Sequence, residues 1–253
     1  MNYIEALSAA REKFHVIGVV GMLHSGVNTF FSQLWQRNLL VIRGDDNMGV
    51  RNTMERMIEL GDQWVTLHMS HKGILWTVDE MQKVTVDPKT FVEVMMKNPA
   101  FYESFLEQSF EHRMQNQIYK MRTLCDFYPG LNRSLSIPMF VELPLSAAIP
   151  DYNAIVDEMV VIKRHRNVGP GHWAFTHFCE TSPLTEAQST QDRIDFMTKM
   201  DKYFDRCKIR ADQFIINHGT YDEYVQKVHE YLDMKVSGAT DKLTVENLLG
   251  ITG

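Results

Sequence analysis

Apolar residues along this chain gather into short unbroken runs, separated by longer stretches of mixed polarity, and the two kinds of segment predict different elements. His15 to Val20 (HVIGVV), Leu39 to Ile42, Ile137 to Glu142, Met159 to Lys163 and Gln213 to Ile216 are rich in β-forming residues and have the length of buried strands. Ile4, Leu7 and Phe14 fall at helical spacing ahead of the first run, which predicts a short amphipathic helix. Phe30 to Asn38 has helical composition, and the other intervening segments suit helices or polar loops. Strands alternating with helices predict an α/β fold built on a parallel sheet.

Residues from about 50 to 125 carry helix start signals instead. Asn52 is followed three residues on by Glu55, and Asp87-Pro88 and Asn98-Pro99 each set a capping residue before a proline suited to the first helical position. His71-Lys72-Gly73 ahead of Ile74 to Val78 predicts a turn and a short strand within this stretch. No internal repeat and no linker rich in Pro, Gly or Ser divides the chain. Residues 1–253 therefore read as one domain with a helical insertion at 44–130. Met54, Met57, Met81, Met95, Met96, Met114 and Met121 make the insertion soft. Methionine fills irregular gaps in cores and also suits adaptable surfaces, so a protein partner, if there is one, is expected there.

Composition narrows the picture without changing it. The 253 residues are 44% hydrophobic and 23% charged, ordinary for a globular α/β domain. A net charge of -6 argues against nonspecific binding to nucleic acid, so any phosphate site must be local. The three cysteines are too few and too widely spaced for a disulfide framework, which fits a reducing compartment. Met1 to Lys13 has no apolar core of signal-peptide length, and no run approaches the length of a membrane span. A cytoplasmic location is expected.

The candidate chemistry lies just after the first strand. Gly21-Met22-Leu23-His24-Ser25-Gly26-Val27-Asn28-Thr29 has the G-x-x-x-x-G spacing of a P-loop, between an apolar strand and a helix-like segment as that motif requires. Such a loop turns backbone N–H groups toward phosphate oxygens at a helix N-terminus, where the helix dipole also favours an anion. A tight strand-to-helix turn that binds nothing is the alternative reading of the same residues.

The loop resembles the G-x-x-x-S-G-K-D-T form of phage deoxynucleoside monophosphate kinases and dephospho-coenzyme A kinases. Gly21, Ser25, Gly26 and Thr29 match, with Val27 in place of Lys and Asn28 in place of Asp. Met159 to Lys163 is similar to the fourth sheet strand of these enzymes, and Arg164 and Arg166 follow where a lid arginine often starts. Leu184-Thr185-Glu186 through Asp195 to Arg210 resembles the lid and the helix after it. Ala211 to Thr220 (ADQFIINHGT) resembles the family's closing A-D-x-x-I-x-N-x-G-(S/T) segment, with Gly219 opening the turn into a last helix, Tyr221 to Leu232. The likeness covers about residues 15 to 43 and 137 to 232. It implies a three-layer P-loop NTPase fold with a parallel sheet of about five strands in the order 2-3-1-4-5, and ATP with Mg2+ as cofactors. It also implies a phosphate site at Gly21, His24, Ser25, Gly26, Val27, Asn28 and Thr29, with Thr29 toward the metal. Glu142, Arg164 and Arg166 are the catalytic positions it suggests.

Two departures weigh against ordinary kinase chemistry. The loop lysine of such enzymes reaches the β- and γ-phosphates, where charge builds up during transfer. Val27 has neither charge nor donor, and losing one contact of this kind costs about 3 to 4 kcal/mol, roughly 100- to 1000-fold in rate. The third strand of the phage kinases ends in an acidic residue closely followed by an arginine that holds the acceptor phosphate. Here Val141-Glu142-Leu143-Pro144-Leu145 offers Glu142, suited to orienting a metal-bound water, with no arginine nearby in sequence. The expectation is a kinase-like protein with impaired or lost phosphoryl transfer, acting by nucleotide binding or protein interaction.

Two other readings stand beside it: an active phage-type kinase converting ATP and dNMP to ADP and dNDP, and a structural or interaction protein of a phage assembly. The active kinase needs cations from Lys163, Arg164, Arg166, Arg193, Lys199, Lys202 or Arg206, unless Asp192, Asp195, Asp201 and Asp205 balance them on a solvated helix face. His172, His177 and Cys179 match no standard zinc spacing. His68 and His71 with Trp64 and Trp76 either pack a core or line a base pocket. Without a G-x-S-x-G elbow, an H-E-x-x-H helix or a G-x-G-x-x-G turn, hydrolase, metalloprotease and dehydrogenase readings have no support.

Overall fold

The structure is a computed structural model and describes residues 2–22, 25–43, 77–78, 84–85, 114–131, 137–143, 149–165, 172–173, 194, 198 and 201–236. Helix α1 (Tyr3–Lys13) begins at Asn2, whose side chain accepts from the Glu5 N–H at 2.9 Å while the Glu5 carboxylate accepts from the Asn2 N–H at 2.8 Å. This reciprocal capping box satisfies two backbone donors that the first turn leaves open. The buried stripe of α1 is Tyr3, Ala6, Leu7 and Ala10. Leu7 and Phe14 of the expected stripe are buried, but Ile4 is 39% exposed. Small alanines one turn apart take its place and let the helix lie close to the sheet.

Five strands form a parallel sheet: β1 (His15–Gly21), β2 (Leu40–Ile42), β5 (Pro138–Glu142), β6 (Glu158–Arg164) and β7 (Gln213–Asn217), in the order β2-β5-β1-β6-β7. Counted along the sheet's own strands this is 2-3-1-4-5, the order that the resemblance implies. The expected strands all appear, displaced at their ends by a residue or two. β3 (Thr77–Val78) and β4 (Val84–Thr85) pair separately as a short antiparallel ladder. Together with residues 114–130, helical over 114–127, they are what is described of the segment read as an insertion; the rest of 44–130 lies outside the described residues.

The central strands are apolar throughout because helices cover both faces. Val16 and Val20 of β1, Met139 and Val141 of β5 and Met159 and Val161 of β6 join a core with Leu7 and Ala10 of α1, Met121, Tyr152 of α3 (Ile149–Ile155), Tyr203 and Phe204. The alternate residues Ile17, Val19, Phe140, Val160 and Ile162 pack on Phe30, Phe31 and Leu34 of α2 (Val27–Gln36) and on Tyr224, Val228, Tyr231 and Leu232 of α4 (Tyr221–Val236). The result is a three-layer α/β sandwich with β1 at its centre and the glycine-bearing segment lying between β1 and α2. Among the described residues no helix is long and apolar enough to cross a membrane.

Candidate phosphate-binding site

The carboxyl ends of all five parallel strands meet on one edge of the sheet, the edge where ligands bind in open α/β folds. Gly21 ends β1, and two features of the loop beyond it explain its glycines. A Cβ on Gly21 would overlap Val27 Cγ2 at 2.2 Å and crowd Ser25 Oγ at 2.8 Å. Gly26 has φ of 97°, in the left-handed region that side chains other than glycine rarely adopt, and a Cβ there would come within 2.7 Å of the Tyr224 ring. Val27 therefore folds back against the start of the loop, along the path a lysine stem at this position would begin.

The far end of the chain holds the loop in place. Asn217, at the end of β7, donates from Nδ2 to the Ser25 carbonyl at 3.1 Å, and the Tyr224 hydroxyl donates to the Gly26 carbonyl at 2.9 Å. Burial pushes the Tyr224 hydroxyl well above its ordinary pKa, so it stays a donor. The first bond of α2 runs from Phe30 N–H to the Gly26 carbonyl at 2.9 Å, and no side chain caps the helix. Among the described residues, the N–H groups of Val27, Asn28 and Thr29 thus have no hydrogen-bond acceptor. Ser25 Oγ and Asn217 Oδ1 are likewise buried without a hydrogen-bond partner, and both residues are fully buried. Open amides at a helix N-terminus, beside a buried hydroxyl, form a site suited to phosphate oxygens.

The other predicted positions divide. Glu142 ends β5 and does not stand apart from an arginine, as the sequence around it suggested. Arg43, the residue after β2, donates from Nε to Glu142 Oε2 at 2.9 Å and from one terminal nitrogen to Glu142 Oε1 at 3.4 Å and Asn28 Oδ1 at 2.8 Å. Its guanidinium lies 4.7 Å from the centre of the Phe31 ring. Gln117 donates to the Glu142 carbonyl at 2.7 Å and Lys120 to the Arg43 carbonyl at 2.9 Å, so the helix at 114–127 fastens both strand ends. Sequence reading missed Arg43 because its partner is 99 positions away. The available signal was the register: Ile42 pairs with Val141, which puts the next residues, Arg43 and Glu142, side by side.

Arg164 ends β6 opposite Asn217, and its buried guanidinium donates to Asp201 at 2.7 Å. This ion pair is buried, unlike the solvated mixed-charge face expected for that helix. Beside it, burial first and then the charge of Arg164 hold the His172 imidazole below its ordinary pKa, against a backbone hydrogen bond with Gly219. Trp173 packs on Tyr221 and Tyr224 with ring centres 5.2 and 5.7 Å away, which continues an aromatic wall from the loop toward α4. Thr29 sits half-buried in the first turn of α2. His24 and Arg166 lie outside the described residues, as do His177, Cys179, Arg193 and the His68, His71, Trp64 and Trp76 group.

The residues present fit a nucleotide's phosphates better than they fit its metal. The open amides and the buried Ser25 hydroxyl suit anionic oxygens, whereas Asn28 Oδ1 and the Glu142 carboxylate, the oxygens nearest to a metal position, are already bridged by a guanidinium. Among the described residues no group of three or more His, Cys, Asp or Glu side chains is placed to hold a metal ion.

No protein-family model matches the chain, and no curated protein matches it in sequence. Among solved structures it is similar to TT1252 from Thermus thermophilus at 13% identity and a TM-score of 0.46, covering 89% of this chain and 100% of that one. It is also similar to the dephospho-CoA kinase from Campylobacter jejuni, again at 13% identity, with a TM-score of 0.43 over 88% of this chain and 98% of the other.

Proposed function

We propose that this chain is a kinase-like P-loop protein that binds a nucleotide through the loop at residues 21–29 and has lost or weakened phosphoryl transfer. The observation that carries the reading is Val27, a side chain without charge that lies against Gly21 at the position where the resembling family has lysine. The two cations described at this edge of the sheet support it. Arg43 is tied to Glu142 and Asn28, and Arg164 is tied to Asp201, so reaching a transferring phosphoryl group would require either to give up a buried ion pair. The acceptor that the resemblance implies is a deoxynucleoside monophosphate, and a phage protein in a host cytoplasm is the setting that goes with it.

Calorimetry with ATP and dATP, joined to a turnover assay on each dNMP, tests this directly. Binding is expected, with turnover at least about 100-fold below an intact relative. Near-normal turnover on any dNMP would show that the chemistry survives without the lysine. A protein that binds no nucleotide would instead support an interaction role. Val27→Lys should raise ATP affinity, because it restores the cation that reaches the β- and γ-phosphates.

A further inference from the structure

We propose that Arg43 fills the place of a divalent cation in this site, so that nucleotide phosphates bind here without metal; the second half of this statement rests on the nucleotide-binding reading above. Where a P-loop holds Mg2+, the ion sits between an oxygen of the first helical turn and an acidic residue at the end of a neighbouring strand. The first turn of α2 offers Asn28 Oδ1 beside the Thr29 hydroxyl, which the resemblance turns toward the metal, and the strand end offers the Glu142 carboxylate. One terminal nitrogen of Arg43 donates to Asn28 Oδ1 and to the carboxylate, at 2.8 and 3.4 Å, and Nε adds a second bond to the carboxylate at 2.9 Å. A hard cation such as Mg2+ needs those same lone pairs and holds its oxygens in a close, nearly octahedral shell. It would also have to sit against a positively charged guanidinium.

The guanidinium is built in rather than draped over the site. The Arg43 side chain is 5% exposed, lies against the Phe31 ring at 4.7 Å, and has its backbone carbonyl pinned by Lys120. Charge explains the amide at position 28. A divalent ion favours two carboxylates, and the resembling family has Asp where this chain has Asn28. A single guanidinium is balanced by one carboxylate, and Asn28 in place of Asp leaves the cluster neutral. Asn28 and Arg43 are thus two halves of one replacement, which neither residue shows alone.

The test has two arms on the full chain. Calorimetry with ADP should give affinities in EDTA and in Mg2+ within about threefold of each other, and a tightening of about tenfold or more with Mg2+ would overturn the proposal. In the second arm, NMR follows the Asn28 side-chain amide as Mn2+ is added without nucleotide. The signal should stay sharp in the wild type and in Arg43→Lys, and broaden in Arg43→Gln, where the oxygens are released. Broadening in the wild type overturns the assignment, and so does a folded Arg43→Gln protein that takes up no Mn2+. If Arg43→Gln does not fold, the wild-type and Arg43→Lys spectra still decide. Should ADP bind in neither buffer, the nucleotide-binding reading fails, while the Mn2+ arm still decides whether Arg43 holds the cation place.

Discussion

Gly26 is fixed by two independent constraints, its positive φ and the Tyr224 ring against its Cα. Gly26→Ala should therefore cost about 1 to 3 kcal/mol, the range for a side chain forced into a sparsely populated backbone region, and urea unfolding will read it. Arg43 and Glu142 predict a larger effect, because their side chains are only 5% and 16% exposed. Arg43→Met strands a buried carboxylate and should cost about 3 to 5 kcal/mol, whereas Arg43→Met with Glu142→Leu should recover most of that loss. Additive losses in the double mutant would show that the pair is not coupled. His172 supplies a pH effect whose sign follows from its lowered pKa. The unfolded chain takes up a proton at the ordinary histidine value before the folded protein does. Stability from this group is therefore full above that value and falls as pH drops toward the folded pKa. His172→Gln should flatten this part of the stability profile between about pH 5 and 7, near the ordinary histidine range.

At the scale of elements, the last helix shows how a motif seen in sequence acquires a mechanical reason. Thr220 Oγ1 accepts from the Glu223 N–H at 3.3 Å, and the Glu223 carboxylate accepts from the Thr220 N–H at 2.7 Å, a capping box that starts α4. The carboxylate folds over Gly219 so closely that a Cβ there would fall 2.0 Å from Glu223 Oε2. Thr220→Ala should lower stability by about 1 kcal/mol, seen as a shift in the thermal midpoint. The backbone N–H of Thr220, and then its side chain, hold the Glu223 carboxyl below its ordinary value. Its support is thus complete above the ordinary carboxylate range and disappears as pH falls through the folded pKa. The central strands were legible in the sequence because a parallel strand covered on both faces is apolar along most of its length, with its polar residues at the ends. Both loop glycines were legible because nothing else tolerates their surroundings. Partners such as Arg43 with Glu142, or Arg164 with Asp201, left no local trace. Each is set by strand register or by packing across tens of residues, which periodicity does not encode. Ile4 misled for a related reason: spacing finds a helix, but the tertiary partner chooses the buried face.

For the molecule as a whole, the loop is the junction of the sheet's centre with its last strand and last helix. A ligand on the Val27, Asn28 and Thr29 amides should therefore steady α4 and β7 together with α2. At a nucleotide concentration of 100 times Kd the folded state gains about 2.7 kcal/mol, and calorimetric scans would detect the rise in Tm. Tyr224→Phe keeps the ring and removes the donor to Gly26, so it should reduce that ligand-induced rise more than it reduces the stability of the unliganded protein.

The bonds that Asn217 and Tyr224 make to the loop span 192 and 198 positions of the chain. On the ribosome, β1 emerges with no sheet neighbour to pair with, since β5 and β6 are synthesised more than a hundred residues later. The glycine loop must wait longer still, until α4 has left the exit tunnel. Long-range pairing of this kind slows folding and leaves apolar strands exposed in the meantime. A translating chain would thus display β1 to holding chaperones until β5 and β6 emerge, and the two bonds that anchor the loop form only after α4 does.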